Sequence, residues 1–205
     1  MFVVTTVSLK GGVGKTTTAV HLAAYFSEKG TTLLIDADPN RSCLVWSKEA
    51  KLPFKVVSEA SAQKFIQGNS YVVVDTKARP VIEELQDIAD GCDLLIIPTT
   101  PNPLDLDVTM KTVSLLLQLN CRHYKVLLTR VPARQTVAVV QIRKSFNALN
   151  VPLFQTEIKQ LACIAQSPLA GTIVRDFKNQ YAAAAWKTYT MLGDEIVNDT
   201  EEFNR

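Results

Sequence analysis

The segment LKGGVGKTTTA, residues 9–19, constrains the fold of this chain more than any other part of the sequence. It follows a short apolar run and holds Gly11, Gly12 and Gly14 directly before Lys15-Thr16. Glycines let the backbone bend so that consecutive N–H groups face one point, and a following helix adds positive potential at its amino terminus. Lys15 can then reach β- and γ-phosphates, and the Thr16 hydroxyl can bind Mg²⁺. The segment therefore predicts a strand, a phosphate-binding loop and a helix, in that order.

Seven short apolar runs rich in β-branched residues are typical of buried strands. They lie at residues 2–7, 32–36, 54–57, 71–75, 94–98, 125–129 and, more weakly, 153–154. Segments with helical spacing lie at 16–29, 41–50, 80–90, 105–119, 137–149 and 179–197. Their alternation predicts an α/β P-loop fold, a mostly parallel twisted sheet of about seven strands with helices on both faces. Ligands of such a sheet bind at the carboxyl ends of its strands.

The last helical segment, 179–197, is expected to cover the sheet with one apolar face. That face is formed by Tyr181, Trp186, Tyr189, Leu192 and Ile196. The tail that follows, 198–205, is polar and acidic, without the Lys-rich amphipathic character that binds anionic lipid.

Composition bounds the domain count and the compartment. The 205 residues are 47 % hydrophobic, which is enough for one large core, so we expect a single domain over residues 1–205. No apolar run approaches the length of a membrane helix, and no signal peptide opens the chain, so we expect a cytoplasmic protein. The four cysteines have no paired spacing that would indicate a zinc site or a disulfide framework, and we expect small buried hydrophobes: Cys43, Cys92, Cys121 and Cys163.

Three aspartates end predicted strands. Asp36 and Asp38 close the run TLLID and its continuation, and Asp75 ends YVVVD. Because the carboxyl ends of parallel strands meet at one edge of a sheet, all three are expected beside the phosphates. Carboxylates at this position serve Mg²⁺ and phosphoryl chemistry, which makes a mere strand-capping role the weaker interpretation.

The phosphate loop departs from the common pattern, because Leu9 stands where a glycine is expected and Lys10 precedes the glycines. This KGGxGK[ST] arrangement resembles the deviant Walker A box of the ParA/MinD family of ATPases. LLIDADPN at 33–40, VVVDT at 72–76 and SPLAGTIVRDF at 167–177 follow in the family's order. The length is similar to that of compact ParA proteins without an amino-terminal DNA-binding domain.

The resemblance implies ATP and Mg²⁺ as cofactors and assigns roles at the site. Asp38 activates or positions the attacking water, Asp75 holds Mg²⁺ through its water shell, and Asp36 organises the loop and the metal together with Thr16. The nucleotide is bound by Gly11, Gly12, Val13, Gly14, Lys15, Thr16 and Thr17. Arg130 and Pro132 follow the run KVLLT, where the family lines its adenine pocket.

Lys10 is too close to Lys15 to serve the same phosphates without repulsion. In the resembled family this lysine crosses a dimer interface and contacts the nucleotide of the partner subunit. The implied protein is an ATP-dependent sandwich homodimer with three catalytic residues, Lys10, Lys15 and Asp38. The alternative interpretation is that Lys10 is a solvated loop residue without a partner-subunit role.

The formal net charge of +2 hides an uneven distribution. Residues 108–190, called the basic half below, hold eleven lysines and arginines but only two acids, Glu157 and Asp176. Such a segment suggests a polyanion partner, although a solvated surface with few acids is an equal alternative. In a dimer the contacts with DNA double, so we expect nonspecific, salt-sensitive DNA binding and a nucleoid location. The candidate contacts are Arg122, Arg143, Lys144, Arg175, Lys178 and Lys187.

The resemblance leaves the cargo open. An adaptor protein that stimulates hydrolysis could link the ATPase to plasmid or chromosomal DNA, or to a protein organelle such as a carboxysome. A MinD-like membrane role is opposed by the acidic tail, and no membrane partner is expected. An iron–sulfur reductase like the nitrogenase iron protein would need Cys92 or Cys121 as cluster ligands, and a ligase such as dethiobiotin synthetase would need a substrate pocket that the sequence does not indicate.

Two smaller groups have less specific interpretations. Lys77 and Arg79 follow Asp75 and either approach the γ-phosphate or a partner, or are solvated loop residues, which we favour. His21 and His123 have no ligand spacing and are expected to be packed or surface histidines.

Overall fold

The computed structural model describes residues 1–49, 52–134 and 136–203. Its centre is a six-stranded sheet with the order β3-β2-β4-β1-β5-β6, in which all neighbouring strands are parallel. The strands are β1 (Phe2–Ser8), β2 (Thr32–Ala37), β3 (Lys55–Ser58), β4 (Tyr71–Ala78), β5 (Leu94–Thr99) and β6 (Tyr124–Leu128). The predicted α/β class and parallel sheet are confirmed.

Helices connect the strands and cover both faces of the sheet. They are α1 (Lys15–Ser27), α2 (Ser42–Glu49), α3 (Glu59–Ala62), α4 (Ile82–Asp90), α5 (Pro103–Gln118), α6 (Val137–Ala148), α7 (Ala162–Gln166) and α8 (Ala182–Phe203), with a 3₁₀ turn at Val174–Asp176. The two short helices α3 and α7 and the 3₁₀ turn were not predicted, because four or five residues carry too little periodicity. Residue 50 of the predicted helix 41–50 and residues 204–205 of the tail lie outside the described residues.

The seventh predicted strand, residues 153–154, is wrong. Leu153 forms an isolated bridge to Val126 of β6, and the ladder goes no further. Pro152 has no N–H to extend the pairing, and the Phe154 carbonyl accepts a hydrogen bond of 3.0 Å from the Arg143 guanidinium. A side chain therefore takes the place of a strand partner.

Successive strand residues pack on opposite faces, as the two-residue period requires. In β4, Val73 packs in the larger core with α1 and α8, while Val72 packs on the other side with α3 and the turn that follows it. In β5, Ile96 joins the larger core and Ile97 packs against α4, α5 and α6.

Helix α8 covers the sheet as predicted, with Tyr189, Leu192 and Ile196 fully buried. Two residues of the predicted face differ: Trp186 is half-buried, and Tyr181 precedes the helix and is 56 % exposed. Helices α1 and α8 approach closely, since a Cβ atom on Gly193 would lie 2.3 Å from the Tyr25 ring. Among the described residues, no helix combines the length and apolar character needed to cross a bilayer.

Candidate functional site

The glycine loop joins β1 to α1 at the carboxyl edge of the sheet. Gly12 and Gly14 have φ values of 78° and 94°, in the left-handed region that favours glycine, and Gly14 is the amino-terminal cap of α1. The hydroxyl of Thr129 donates to the Val13 carbonyl at 2.8 Å and to the Thr99 carbonyl at 3.1 Å. The loop is thus tied to the ends of β5 and β6.

Lys15 opens α1 and is 7 % exposed. Burial lowers the pKa of its ammonium group, and the carboxylates of Asp75 and Asp38 act in the opposite direction. The side chain is therefore a buried cation on the side of the loop that faces the strand-end acids, where a phosphate would neutralise it.

Asp36 and Asp75 lie in register on the neighbouring strands β2 and β4. The Thr16 hydroxyl donates to Asp75 Oδ2 at 2.6 Å, and the Thr6 hydroxyl donates to Asp75 Oδ1 at 3.2 Å. Burial raises the pKa of Asp75 to about 6, even though hydrogen bonds from Thr16 and Cys43 favour its ionised form. The structure thus places the three predicted metal residues, Thr16, Asp36 and Asp75, at one edge.

Asp36 also orders the chain that follows β2. Its carboxylate accepts hydrogen bonds from the backbone N–H groups of Asp38, at 3.2 Å, and Leu44, at 2.9 Å. The Asp38 carboxylate accepts hydrogen bonds from Asn40, one from its backbone N–H and one from its side-chain amide, each 2.9 Å long. The Asp38 carboxylate therefore caps the turn that it begins. Its charge also acts on the nearby Lys15 ammonium group.

Lys10 makes a separate contact on the other side of the loop. Its ammonium group forms an ion pair with Asp105 in the first turn of α5. The Thr100 hydroxyl donates to the second oxygen of Asp105 at 2.5 Å. Burial opposes ionisation of Asp105, but these two hydrogen bonds outweigh it and hold its pKa below the usual range. The two lysines of the loop thus have different partners.

The residues present fit both implied cofactors. Space remains beside the first two glycines of the loop, since a Cβ atom on Gly11 or Gly12 would meet no atom within 4 Å. The edge where Asp36, Asp75 and Thr16 converge offers the oxygen ligands that Mg²⁺ takes in proteins. A triphosphate would lie between the loop and this edge.

The predicted adenine residues, Arg130 and Pro132, follow Thr129 at the end of β6, and Thr129 contacts the phosphate-binding loop. Arg130 is exposed and has a left-handed φ of 50°, and Pro132 is also exposed. The two basic residues after Asp75 differ in their surroundings. Lys77 forms an ion pair of 2.6 Å with Glu84 of α4. Arg79 has a backbone φ of 57°, in the left-handed region.

The six DNA candidates do not form one cluster. Arg143 and Lys144 lie on α6, which packs with α4 and α5 on one face, whereas Arg175, Lys178 and Lys187 lie at and around the start of α8 on the other. Arg122 lies before β6, at the amino edge of the sheet opposite the loop.

Two of the six are held by contacts within the chain. Arg143 donates to the Phe154 and Gln155 carbonyls and pairs with Glu157 at 3.2 Å. Arg175 pairs with Glu28 at 2.7 Å and with Asp176 at 3.0 Å.

Three residues at the site were missed from the sequence as functional groups. Cys43 donates its thiol hydrogen to Asp75 Oδ2 at 3.3 Å, Asp105 binds Lys10, and Thr129 fixes the loop. Cys43 follows the DADPN run closely and could have been noticed there, whereas Asp105 and Thr129 come from distant strands and helices and carry no local signal.

The other cysteines and histidines conform to a packing role. Cys121 and Cys163 are buried, Cys92 is half-buried, and all four cysteines are free thiols. His21 is fully buried, and the pKa of its ring is lowered to about 4 by burial. His123 is exposed and contacts the Ala89 carbonyl through Nε2 at 2.8 Å.

Comparison with protein-family models gives a match over residues 4–174 to the CobQ/CobB/MinD/ParA nucleotide binding domain. Two curated proteins called maintenance of carboxysome distribution protein A are similar over nearly the whole chain. The protein from Gloeobacter kilaueensis is 33 % identical, with 96 % of this chain and 94 % of that protein covered. The one from Halothiobacillus neapolitanus is 25 % identical, with 95 % of this chain and 96 % of that protein covered.

The fold also matches solved structures. A Borrelia burgdorferi protein described as a plasmid partition protein, bound to AMPPNP, superposes with a TM-score of 0.75 at 17 % identity, covering 97 % of this chain and 99 % of that one. At this identity the match shows the shared fold.

Proposed function

Because the chain belongs to the CobQ/CobB/MinD/ParA family of nucleotide-binding domains, we propose that it is a ParA-type ATPase that positions a cargo by cycling between an ATP-bound dimer and a released form. The observation that carries this proposal is the divergence of the two loop lysines. Lys15 is buried among Asp75 and Asp38, and Lys10 extends to Asp105 at the edge of the loop, 36 % of its side chain exposed.

Each residue of the site has a role in this proposal. The loop N–H groups from Gly11 to Thr17 and the Lys15 ammonium bind the phosphates. Asp36, Asp75 and Thr16 would hold Mg²⁺, which would supply positive charge beside the phosphates. The Thr16 hydroxyl, which donates to Asp75 in this structure, would then be needed by the ion.

Asp38 orients the attacking water and accepts its proton. One oxygen of its carboxylate, Oδ1, accepts two hydrogen bonds from Asn40, and release of these bonds would free the whole carboxylate for the water. In this proposal a partner that stabilises the released position accelerates hydrolysis. Arg130 and Pro132 line the adenine side.

Lys10 binds the partner subunit's nucleotide in this proposal. To do so it exchanges Asp105 for phosphate oxygens, which are also anionic and accept its hydrogen bonds. ATP then favours the dimer because it adds contacts that a monomer lacks. The dimer doubles the number of lysines and arginines that face nonspecific DNA, and binding weakens steeply with salt.

For the cargo, the relatives favour one of the two alternatives. Two proteins named for carboxysome distribution match over nearly their whole length, whereas the plasmid partition protein matches at 17 % identity. We therefore propose a carboxysome-like protein organelle, reached through an adaptor protein, as the cargo, with plasmid or chromosomal DNA as the second candidate. Purification of the Asp38→Ala variant with ATP from the host, followed by mass spectrometry, separates organelle adaptors from centromere-binding proteins.

The dimer is tested by light scattering coupled to size exclusion, with and without ATP. The wild-type chain should double its mass with ATP, and Lys10→Ala should bind ATP with unchanged affinity yet stay monomeric. Lys64→Ala is the matched control, because Lys64 is an exposed lysine in the turn after α3. A Lys10→Ala variant that dimerises like wild type would refute the role of Lys10.

A further inference from the structure

A thiol lies inside the carboxylate cluster at the phosphate-binding edge. Cys43, the second residue of α2, has no exposed surface, and its Sγ lies 3.3 Å from Asp75 Oδ2. The sulfur and one carboxylate oxygen each from Asp36 and Asp75 lie within 4.8 Å of one another. Three ligand atoms from β2, β4 and α2 therefore converge on one buried point.

This donor set differs in kind from a magnesium site. Mg²⁺ takes oxygen ligands, whereas a cysteine thiolate selects softer ions such as Zn²⁺ and Co²⁺. Tetrahedral Zn²⁺ accepts sulfur at about 2.3 Å and oxygen at about 2.1 Å, which puts its ligand atoms about 3.5 Å apart. Side-chain rotations that close the cluster by about 1 Å would complete such a geometry.

The charge of the cluster also favours a divalent cation. Asp36 and Asp75 are 3 % and 0 % exposed. Carboxylates buried this deeply need a cationic partner, and Lys15 supplies one positive charge. A divalent ion would add two more and displace the thiol proton to solvent, since a coordinated thiol is deprotonated.

We propose that Asp36, Cys43 and Asp75 form a binding site for a thiophilic divalent cation of the Zn²⁺ and Co²⁺ class in the nucleotide-free protein. The Thr16 hydroxyl, 2.6 Å from Asp75 Oδ2, supplies a further oxygen. Because Asp36, Asp75 and Thr16 are also the proposed Mg²⁺ residues, the two ions exclude each other, and this inference deepens the proposed function. A thiophilic ion would thus hold the chain in a state that does not accept Mg²⁺–ATP.

Cobalt titration of the full nucleotide-free chain, in a non-thiol reductant, tests the proposal. One equivalent of Co²⁺ should give a sulfur-to-cobalt charge-transfer band in the near ultraviolet and tetrahedral bands in the visible. Zn²⁺ should remove both, and excess Mg²⁺ should leave them. Absence of a charge-transfer band in the wild-type protein would overturn the proposal.

Two matched cysteine variants locate the site. Cys43→Ser should lose the band and weaken Co²⁺ binding about tenfold or more, whereas Cys163→Ser, at an equally buried thiol away from the loop, should change neither. Cys121→Ser tests a second possible sulfur ligand, since Cys121 Sγ lies 3.7 Å from a histidine nitrogen, His123 Nε2. A band that survives Cys43→Ser, or disappears with Cys121→Ser, would refute the assignment.

A second measurement does not depend on the variants folding. X-ray absorption of the zinc-loaded wild-type chain should show one sulfur at about 2.3 Å among lighter ligands. A shell of oxygen and nitrogen alone would contradict the proposal. Both experiments use the metal without nucleotide, so a failure of ATP-dependent dimerisation leaves their outcome unaffected and the two proposals are judged separately.

Discussion

The phosphate-binding edge and the basic half of the chain handle charge in opposite ways. At the edge, Lys15, Asp36 and Asp75 are buried. Thr16 of α1 donates a hydrogen bond to Asp75, Leu44 of α2 donates one to Asp36, and Lys15 is influenced by the charges of Asp75 and Asp38. In the basic half, many cations are paired with acids from distant segments. Lys125 binds Glu195 and Asp199 of α8, and Arg175 binds Glu28 after α1.

The difference shows why a surplus of charge along a sequence overstates the charge of a surface. Arg143 and Lys159 share Glu157 within the basic half itself. Of the six DNA candidates, the four that are exposed and have no ion pair in the described part of the chain are Arg122, Lys144, Lys178 and Lys187. The edge buries its charges beside the phosphate-binding loop, and the basic half uses much of its charge in ion pairs within the chain.

The largest effect is expected at the edge, from Asp38→Ala. In the proposed reaction the Asp38 carboxylate accepts the proton of the attacking water, so its removal should lower ATP turnover about a thousandfold. ATP binding, measured by calorimetry, should stay within a factor of about three, because Lys15 and the loop are intact. Asp87→Ala on the exposed side of α4 is the control. Unchanged turnover would remove Asp38 from the reaction.

His21 connects the two regions, and its titration should be visible in the stability. Its Nε2 accepts a hydrogen bond of 3.0 Å from the Val174 N–H, and burial lowers the pKa of the ring to about 4 from 6.5. Between pH 6.5 and pH 4, His21 binds a proton in the unfolded chain but stays neutral in the folded chain. About 3 kcal/mol of the free energy of unfolding should therefore be lost as the pH falls from 6.5 to 4.

Urea denaturation at pH 7 and pH 4.5 measures this loss. His21→Gln should lower stability at pH 7 and flatten its dependence on pH, while His123→Gln, at the exposed histidine, should keep the wild-type dependence. An equally steep dependence in His21→Gln would assign the titration to other groups.

Two neighbouring residues of α6 allow a test of which charges stabilise the fold and which are free to bind DNA. Arg143→Ala removes the donor to two carbonyls and the partner of Glu157, so unfolding should become easier by about 1–2 kcal/mol. Lys144→Ala should change stability by less than about 0.5 kcal/mol and reduce the salt slope of DNA binding by about one per subunit. Denaturation and DNA binding across a salt series give both numbers. A loss of stability in Lys144→Ala, with a weaker salt dependence in Arg143→Ala, would contradict these assignments.

The smallest effect is expected from Asp105→Asn. Loss of this carboxylate releases Lys10 from a partly exposed ion pair, so the ATP concentration for half-dimerisation should fall about threefold, opposite to the effect of Lys10→Ala. Asp107→Asn, which removes the exposed ion pair with Lys111, is the matched control. Weaker dimerisation in Asp105→Asn would show that Asp105 supports the dimer instead of restraining Lys10.

Local pattern was sufficient wherever neighbours along the chain decide the structure. The loop, its glycines and the strand-end aspartates were predictable because each strand carries a continuous apolar run and each helix its own periodicity. The pattern was insufficient at residues 153–154, where Arg143 occupies the carbonyl that a strand would use. It was also silent on Cys43, which sequence reasoning treats as a small hydrophobe and which the fold brings to Asp75.

The sequence by itself determined the fold class, the phosphate-binding loop and the set of acids at the sheet edge, because these depend on backbone bending and on strand order. Only the tertiary structure decided the partners: Lys10 with Asp105, Cys43 with Asp75, and the acids that neutralise the basic half. The physical reason is that hydrogen bonds and ion pairs act over a few ångströms, and the residues they join are up to 169 positions apart along the chain.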